Sequence, residues 1–594
     1  MKKLILIASF ITVSVMVYFQ LSNDVIKPIE NEGIPGLRIK GAWDYEFMRL
    51  VDPNTGKIPA NIMLKEQQFA KRMLYKSGPE TLTRDWKSAG PTNFGGRTRA
   101  VAMDITNSSR ILAAGVSGGL FDSRDKGQSW TRVTPIEESF AITSLAQDTR
   151  IGKQHIWYAG TGELRGNSAT GSYPSSFYLG TGIYKSTDSA KTWALLPSTE
   201  VENVRDSDNA FSGSWDIFVP TFDTADIVYT ATGGTIEKSI NGGTTWNRVL
   251  GSLGVLEISS IAELKGGKNN VMYAGLTSTN NDKGIWRSVD GDNWTNILPN
   301  NFPNSYGRIA IGIDPHNENR VYFLAVTPGA GKIITDFGGN TYGISLYRYT
   351  YLAGDGAGTN GVWENLSSRL PNRGTKLSTF NTQSGYDMFM RVDPFDSMIV
   401  YVGGTNLERT TDMFASDTLV HVGGYSNTDA SLDSVIDGGT FRFDVIHHPD
   451  LHNMLFSKTD TGEAYVFGDG GAHKAIDLHA EGTEAVQYES LSNGYVTAQF
   501  YTIAVNHYLK SDLRLMGGTQ DNDTKLSNLS DGESDFYHTI LFGDGAHCAF
   551  SSDPNVVYAS KQNAKAVKIE LDEEGQPLRF VGIQPDGIEG FLFI

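Results

Sequence analysis

A short run of apolar, β-branched and aromatic residues that ends in small residues recurs along the chain from residue 86 onward. The nine copies follow turn or Asp-Pro signals and lie roughly 43 to 78 residues apart. They are Arg110–Gly115, Ile156–Gly160, Ile227–Ala231, Val271–Gly275, Val321–Ala325, Ile399–Gly403, Met454–Ser457, Leu513–Gly517 and Val556–Ala559. Short strands at this period, with no helical periodicity between them, are typical of four-stranded propeller blades. The pattern therefore predicts an all-β, multi-bladed β-propeller over residues 85–594.

The number of rings stays open at this point. Nine copies exceed the four to eight blades that are usual in one ring. The region therefore forms either one large ring or two tandem propellers that divide near residues 365–385. The chain stops at the apolar run Gly590–Ile594, which reads as the start of another strand. Because a propeller closes its ring to hide its strand edges, we expect the C-terminus to be truncated.

A second motif, Ser-x-Asp-x-Gly-x-x-Trp, follows four of these runs with small variations. Its residues are Ser123, Asp125, Gly127 and Trp130; Ser186, Asp188 and Trp193; Ser239, Asn241, Gly243 and Trp246; and Ser288, Asp290 and Trp294. The motif predicts a hairpin turn in which Asp or Asn caps backbone N–H groups, Gly takes a positive φ and Trp packs between sheets. Because Asn replaces Asp at position 241, we expect these residues to be structural and not catalytic.

These hairpins resemble the Asp-box, or BNR, repeats of sialidases, sortilin-type propellers and xyloglucanase-type glycoside hydrolases, where the box is structural and lies on the outer rim. Gly90–Arg97, Gly115–Leu120, Phe467–Gly471 and Gly517–Asn522 are similar to segments of large propeller proteins exported by the type IX secretion pathway. That resemblance implies a bacterial protein that uses this secretion machinery and is secreted or held on the outer cell surface. The sorting domain that normally ends those proteins is missing from this sequence.

The N-terminal residues differ from the repeats. Lys2 and Lys3 precede an apolar run of about 16 residues, Leu4–Phe19, which matches a secretory signal and is shorter than a comfortable transmembrane helix. Residues 1–22 are therefore predicted to be a signal peptide or an uncleaved signal anchor. Residues 24–84 are predicted to be a short helical segment, with a turn at Asp52–Gly56 and an amphipathic helix from Ile62 to about residue 77.

Composition excludes some functions. The net charge of -17 argues against a nucleic-acid partner. The single cysteine, Cys548, rules out an intramolecular disulfide and a cysteine-based zinc cluster. Aromatic residues make up 11% of the chain, so they can supply stacking surfaces for a ligand.

Three segments late in the chain are rich in Asp, Gly and His, and they are the candidates for a catalytic or binding site. They are Gly468–His473, Thr519–Asp523 and Gly543–His547. The favoured interpretation is that they are hairpin turns with solvent-facing histidines. The alternative is that they converge on one axial mouth, where carboxylates would suit calcium or glycoside hydrolysis. In that case the candidates are Asp469, Asp521 and Asp544 for catalysis, the same three with Asp523 for calcium, and Arg97, His473, Asn522 and His547 for ligand binding.

The resemblance to hydrolases is incomplete. Xyloglucanase-type enzymes place a catalytic Asp in a Thr-Asp-Val-Gly-Gly element of the first blade, and the matching stretch here, Gly115–Gly119, lacks a carboxylate. Their second carboxylate corresponds to Asp469. The Arg-Ile-Pro element of sialidases is absent, although Arg97, Arg308 and Arg391 fall at similar places in strand-like segments. Three arginines so placed could clamp a carboxylate, although arginines at strand ends are common.

Since one acid cannot run a two-carboxylate mechanism, we expect a binding protein. It would be secreted or on the cell surface and would recognise a glycan or protein ligand through its axial mouth and loops. The alternative is a polysaccharide-acting glycoside hydrolase, xyloglucanase-like or sialidase-like. The loop Gly162–Gly180, with Tyr173, Phe177 and Tyr178, is expected either to reach over the mouth and stack on sugars or to pack as a surface Ω-loop.

Overall fold

The computed structural model describes residues 48, 50–59, 62, 65, 66, 68 and 69, and then residues 88–583. Within the latter range it leaves gaps at 136–139, 166–177, 202–208, 222–224, 253–260, 278–281, 336–338, 375–376, 427–445, 510–511, 528–534 and 562–564. The predicted signal segment, residues 1–22, and the C-terminal run, residues 590–594, lie outside the described residues. No helix of the described part has the length and apolarity needed to cross a membrane.

The chain divides into two compact units, Met1–Ile62 and Met63–Ile594. In the first unit, the predicted turn at Asp52–Gly56 is present, since the Gly56 N–H donates to the Asp52 carbonyl at 2.8 Å. Of the predicted amphipathic helix, Ile62, Lys65, Glu66, Gln68 and Phe69 are helical, and its other residues lie outside the described ones.

The described residues of the second unit form nine antiparallel sheets. The first three sheets are β1–β4 (Thr98–Met103, Ile111–Gly115, Gly119–Ser123, Thr131–Arg132), β5–β8 (Ile142–Gln147, Trp157–Thr161, Ile183–Ser186, Ala194–Leu195) and β9–β12 (Asp216–Phe218, Val228–Ala231, Thr235–Ser239, Asn247–Gly251). The next three are β13–β16 (Ala262–Gly266, Met272–Leu276, Gly284–Ser288, Thr295–Asn296), β17–β21 (Ile309–Ile313, Arg320–Val326, Lys332–Thr335, Thr341–Tyr351, Gly361–Asn365) and β22–β25 (Phe389–Val392, Val400–Gly403, Leu407–Thr410, Val420–Gly423).

The last three sheets are β26–β29 (Leu451–Phe456, Ala464–Gly468, Gly471–Ala475, Tyr488–Ser490), β30–β33 (Phe500–Val505, Leu515–Thr519, Thr524–Ser527, Tyr537–Leu541) and β34–β37 (Gly545–Phe550, Val556–Lys561, Lys565–Leu571, Pro577–Gly582). Short 3₁₀ turns occupy Pro197–Thr199, Ala210–Ser212, Gly358–Asn360, Ser367–Arg369 and Gln383–Gly385.

Each of the nine apolar runs found in the sequence lies in a different sheet. Eight of them form the second strand of their sheet. In the seven-sheet ring described below, this strand is covered on both faces by neighbouring sheets, which explains its continuous apolar character. The exception is Met454–Ser457, which overlaps the first strand β26, so that the second strand of that sheet is Ala464–Gly468. The prediction of an all-β propeller is confirmed.

The first seven sheets pack in a closed circle. β1 packs against β5, and the contacts continue in order through β9, β13, β17, β22 and β26. β26 and β27 pack back on β1 and close the ring, while β30 and β34 pack on each other in the two sheets that follow. The division that the sequence suggested near residues 365–385 therefore falls between the fifth and sixth sheets of one ring. The ring instead ends after Ser490.

Hydrogen bonds and a close backbone contact join the two ends of this ring. The Gly96 N–H donates to Thr497 Oγ1 at 2.9 Å, and Asn453 Nδ2 donates to the Arg99 carbonyl at 2.9 Å. A Cβ atom on Gly95 would lie 2.8 Å from the Gly471 Cα, a distance that side chains do not tolerate. The Gly-Gly pair at residues 95–96 therefore lets the first sheet approach the seventh.

The Ser-x-Asp hairpins connect the third and fourth strands of their sheets. In the first of them, Ser123 Oγ donates to Asp125 Oδ1 at 2.8 Å and receives the Gly127 N–H at 2.7 Å. Asp125 Oδ1 also accepts the Ser129 N–H at 2.9 Å. Each of the other three copies repeats the Ser-to-Asp or Ser-to-Asn contact and a backbone donor to the same side-chain oxygen. These are the contacts expected of a capped turn.

A fifth hairpin of this kind lies in the sixth sheet and has no tryptophan. Thr410 Oγ1 donates to Asp412 Oδ1 at 2.7 Å, and the Phe414 N–H donates to Thr410 Oγ1 at 3.2 Å. Met413 and Phe414 adopt φ values of 55° and 64°, the left-handed conformation that glycine favours elsewhere in the motif. Sequence reasoning missed this copy because Thr replaces Ser and no Gly or Trp marks it.

Candidate functional site

The first strands of the seven ring sheets surround a cavity on the ring axis. The space between the atoms that line it is about 460 Å³, a volume that includes open solvent. Charged side chains from five of the sheets line it: Arg99 on β1, Asp216 on β9, Glu263 and Lys265 on β13, Arg308 just before β17, and Arg391 on β22.

Most of these charges are already paired. Arg308 Nε lies 2.6 Å from Glu263 Oε1, and Lys265 Nζ lies 2.5 Å from Asp216 Oδ1. Arg391 instead donates to Asn453 Oδ1 at 2.5 Å and to backbone carbonyls. The sequence grouped Arg308 and Arg391 with Arg97 as a carboxylate clamp, but Arg97 does not line this cavity.

Arg97 belongs to a buried network at one mouth of the ring. Its Nη2 atom lies 2.9 Å from Oε2 of Glu163, and Arg99 Nε lies 2.5 Å from Oε1 of the same side chain, which is fully buried. Arg97 Nη1 also donates to the Tyr386 hydroxyl at 3.0 Å. Burial alone would lower the pKa of Arg97, but Glu163, together with Tyr386, Asp469 and Tyr178, outweighs it and raises that pKa, so the guanidinium stays charged.

Asp469 receives hydrogen bonds on both carboxylate oxygens. It lies in the turn between β27 and β28, where Tyr386 Oη donates to Oδ2 at 2.7 Å and His452 Nε2 approaches Oδ1 at 2.7 Å. Burial alone would raise the pKa of Asp469, but His452, Arg97 and Tyr386 together hold it well below its usual range. Burial lowers the pKa of His452 to about 3. His452 is therefore neutral at pH 7 and donates its Nε2 proton to an ionised Asp469.

Three more carboxyl groups surround Asp469, and we refer to Asp387, Asp450, Asp469 and Asp521 as the carboxylate cluster. Asp450 directly precedes β26, Asp387 lies two residues before β22, and Asp521 lies in the turn between β31 and β32. Carboxylate oxygens of Asp450, Asp469 and Asp521 lie within 4.8 Å of one another. Both oxygens of Asp387 and Oδ1 of Asp450 are buried without a hydrogen-bond partner.

The members of the cluster differ in charge. Burial and the neighbouring carboxylates Asp450 and Asp469 raise the pKa of Asp387 well above its usual value. The pKa values of Asp450 and Asp521 are raised for the same reasons, with Asp544 adding to the repulsion. Without a bound cation, these three carboxyls therefore keep their protons to a higher pH than an ordinary Asp does, next to Asp469, whose pKa is lowered.

Short polar contacts fix the turn at residues 520–523 against the cluster. The Asp521 N–H donates to Asp544 Oδ1 at 3.0 Å, and Asn522 Nδ2 donates to the Asp469 carbonyl at 2.9 Å. His448 Nε2 donates to the Asp521 carbonyl at 2.9 Å. Asp469, Asp521, Asn522 and Asp544 therefore meet at one mouth, as the less favoured interpretation of the sequence had it.

The other candidates from these segments lie elsewhere. Asp523 accepts from the Gly543 N–H at 3.0 Å and pairs with Lys525 at 3.2 Å. His473 lies on β28 with its ring 5.5 Å from that of His447, and His547 is exposed on β34. The two segments that share a Gly-Asp-Gly core, Gly468–His473 and Gly543–His547, are not equivalent, because Asp469 lies between a second and a third strand and Asp544 precedes a first strand.

Two tyrosines with exposed rings lie beside the carboxylate cluster. The side chain of Tyr178 is 38% exposed and that of Tyr501 is 54% exposed. Gln499 Nε2 donates to the Tyr178 hydroxyl at 2.6 Å, and the Tyr501 hydroxyl donates to Gln520 Oε1 at 2.6 Å. The Arg97 guanidinium lies 6.0 Å from the centre of the Tyr178 ring. Tyr173 and Phe177 of the same loop lie outside the described residues.

Sequence reasoning missed Glu163, Tyr386, Asp387, Asp450 and His452. One signal was present: Asp387, Asp450 and Asp544 each stand one or two residues before the first strand of a sheet. The first strands surround the ring axis, so polar residues at their starts lie near one mouth. The positions of Glu163, Tyr386 and His452 depend on which sheets face each other across the ring.

Comparisons with known proteins agree with this fold. An ancestral GH74 enzyme superposes with a TM-score of 0.53 and 14% identity over 83% of this chain, which spans 63% of that enzyme. The GH74 xyloglucanase from Xanthomonas campestris has a TM-score of 0.49 and 12% identity, over 83% of this chain and 74% of its own. A GH74 enzyme from Niastella koreensis has a TM-score of 0.43 and 15% identity, over 82% of this chain and 74% of that enzyme.

No protein-family model matches the chain, and no curated protein matches it in sequence. At these identities, the likeness to the ancestral enzyme shows the fold alone. The molecule is a β-propeller, and what it does must be argued from its own site.

Proposed function

We propose that this protein is a secreted or cell-surface propeller that binds a polysaccharide at the mouth formed by the carboxylate cluster and its two tyrosines. The observation that carries the proposal is the pair of exposed rings, Tyr178 and Tyr501, beside polar groups that converge on one place. A tyrosine offers a flat apolar face and a polar tip, so it can pack on the apolar face of a sugar while bonding a neighbour.

The polar groups around the rings suit sugar hydroxyls. Gln499 and Gln520 supply amide donors and acceptors, and Asp521 supplies a partly exposed carboxyl. Because each amide also holds one tyrosine hydroxyl, the two rings are fixed before a ligand arrives. Fixing them in advance lowers the conformational entropy lost on binding. An apolar platform with a few placed polar groups is the usual composition of a ligand site.

A polysaccharide-acting glycoside hydrolase is the second candidate. It is favoured by the contrast between Asp469, which is ionised, and Asp521, whose pKa is raised, because such a contrast can divide base and acid roles. Binding remains the better proposal because the first sheet lacks the second carboxylate that hydrolysis needs. The turn Gly115–Gly119 has no carboxylate and lies against Thr497, whose Cγ2 would be 2.8 Å from a Cβ atom on Gly118.

The test uses a panel of plant and mucin polysaccharides, with affinity electrophoresis for binding and a reducing-end assay for cleavage. We expect binding without new reducing ends, weakened at least tenfold in Tyr501→Ala. Tyr508→Ala is the matched control, because Tyr508 is 67% exposed beyond the opposite end of β30. Reducing ends that disappear in Asp469→Asn would establish the hydrolase. Absence of binding across the panel would contradict a glycan ligand and leave a protein ligand to be sought.

We also propose that the protein works outside the cytoplasm. The support is the sequence of residues 1–22, a basic start followed by a short apolar run. Fractionation of the native bacterium should find the chain in the medium or on the outer surface. Recovery from the cytoplasm alone would contradict the proposal.

A further inference from the structure

We propose that Asp450, Asp469 and Asp521, with Asp387 beside them, bind one divalent metal ion of the hard, oxygen-preferring class, calcium first among them. The ion would join the seven-sheet ring to the eighth sheet. This proposal goes beyond the proposed function and does not rest on the identity of any glycan.

The donor atoms have the chemistry and the spacing of such a site. All are carboxylate oxygens, which hard divalent cations prefer over nitrogen and sulfur ligands. Oxygens of Asp450, Asp469 and Asp521 lie within 4.8 Å of one another. Two oxygens on opposite sides of a calcium ion, each about 2.3–2.6 Å from it, are about 4.6–5.2 Å apart. One ion can therefore contact all three side chains without a large rearrangement.

Asp387 supplies a second, independent observation. Its side chain is fully buried, and neither of its carboxylate oxygens has a hydrogen-bond partner. It lies next to Asp450 and Asp469, and Oδ1 of Asp450 is also buried and unpartnered. A buried polar atom without a partner costs free energy, so groups of this kind call for a bound water or ion. A cation among these oxygens would satisfy all of them at once.

The nearby arginines form their ion pairs with a carboxylate outside the cluster. Arg97 and Arg99 both direct their guanidinium groups to Glu163, at 2.9 and 2.5 Å. Asp469 forms no salt bridge with a lysine or arginine among the described residues, and its short nitrogen contact is with His452 Nε2 at 2.7 Å. Among the described residues, no lysine or arginine nitrogen comes within 4.0 Å of the carboxylate oxygens of the other three members.

The position of the cluster gives the ion a structural consequence. Asp450 and Asp469 belong to the seventh sheet of the ring, whereas Asp521 lies in the turn between β31 and β32 of the eighth sheet. An ion held by all three would therefore fix that turn against the ring. Since Gln520 of the same turn holds the Tyr501 hydroxyl, the ion would also fix one wall of the mouth.

The test begins with purified wild-type protein treated with a chelator and then titrated calorimetrically with calcium chloride. We expect one ion per chain and a higher melting temperature at millimolar calcium. Asp450→Asn and Asp521→Asn should each weaken binding at least tenfold. Asp417→Asn should bind calcium as the wild type does, because that side chain is 76% exposed and pairs with Arg369.

The proposal fails if the chelated wild type shows neither heat nor a change in melting temperature with calcium, magnesium or manganese at 10 mM. It also fails if Asp450→Asn and Asp521→Asn, shown by circular dichroism to be folded, bind calcium as the wild type does. If Asp450→Asn does not fold, calcium binding by Asp521→Asn is compared with the wild type instead, because Asp521 is partly exposed.

Terbium provides a readout that needs no variant. Tyr386 donates to Asp469, so a terbium ion in the cluster should show luminescence sensitised by tyrosine. Calcium should displace it, and terbium luminescence that calcium leaves unchanged would overturn the proposal. Polysaccharide binding is measured separately, so calcium binding by a protein that ignores every polysaccharide would contradict the proposed function and leave the metal site standing.

Discussion

Replacing Trp130 with alanine tests whether the contact between the first and seventh sheets holds the ring closed. The Trp130 side chain is 8% exposed, and its ring centre lies 4.9 Å from that of Tyr495. Its Nε1 atom donates to the Leu491 carbonyl at 2.7 Å. Trp130 directly precedes β4, whereas Leu491 and Tyr495 follow β29, so the contact joins the two ends of the ring.

The expected cost follows from this burial. A tryptophan buries about 150–250 Å², and its replacement by alanine in a core costs about 3–5 kcal/mol. The Leu491 carbonyl also loses its donor, which adds about 1 kcal/mol. We therefore expect Trp130→Ala to lower the free energy of unfolding by about 4–6 kcal/mol. Trp130→Phe keeps most of the packing and should cost about 1–2 kcal/mol.

Guanidinium unfolding followed by far-ultraviolet circular dichroism measures this free energy. The matched control is Trp193→Ala, the equivalent tryptophan of the second sheet, which is only partly buried and packs within the cluster between the first two sheets. We expect a smaller loss there. A Trp130→Ala protein within 1 kcal/mol of the wild type, or a control that loses as much, would refute the closure argument.

Two further predictions concern single carboxylates. Asp125→Asn should change the free energy of unfolding by less than about 0.5 kcal/mol in the same assay. The reason is that Asn241 already accepts the equivalent backbone hydrogen bond at 2.9 Å in its own hairpin. A large loss of stability would contradict a capping role for Asp125. Glu463 pairs with Lys126 across the ring closure at 2.9 Å. Burial alone would raise the pKa of Glu463, but a tyrosine and two lysines lower it to about 2, from 4.5. The ionised Glu463 carboxylate therefore stabilises the folded state fully above pH 4.5, and this stabilisation is lost as the pH falls towards 2. We expect Glu463→Gln to lower the free energy of unfolding by about 1–3 kcal/mol at pH 7 and by almost nothing at pH 2. Urea midpoints of the wild type and the variant across this range check the prediction, and a gap that persists at pH 2 would contradict it.

The sequence predicted those parts of the fold that depend on local pattern. Runs such as Ile156–Gly160 are continuously apolar because the second strands of the ring sheets are covered on both faces. The Ser-x-Asp hairpins were predictable because their hydrogen bonds join residues two to four positions apart. The ring size was not predictable, because it depends on contacts between the two ends of the ring. One of these is the bond from Gly96 to Thr497, which joins residues 401 positions apart.

The candidate site was predictable to a similar extent. Asp469, Asp521 and Asp544 stand in Gly-rich turns and were recognisable as candidates. Asp387 and Asp450 were not recognised, because they stand one or two residues before ordinary strands and not in a Gly-Asp-Gly turn. Their meeting with Asp469 requires the sixth and seventh sheets to be neighbours at one mouth. That is a property of the closed ring and not of any short segment.

Hydrogen–deuterium exchange with and without a bound oligosaccharide tests the proposed ligand site most directly. The oligosaccharide is taken from whichever polysaccharide binds in the panel. We expect slower exchange at residues 178–182, 497–503 and 519–524, which carry Tyr178, Tyr501 and the turn with Asp521. Slower exchange at the outer hairpins, such as residues 186–193, with no change at the mouth would contradict it.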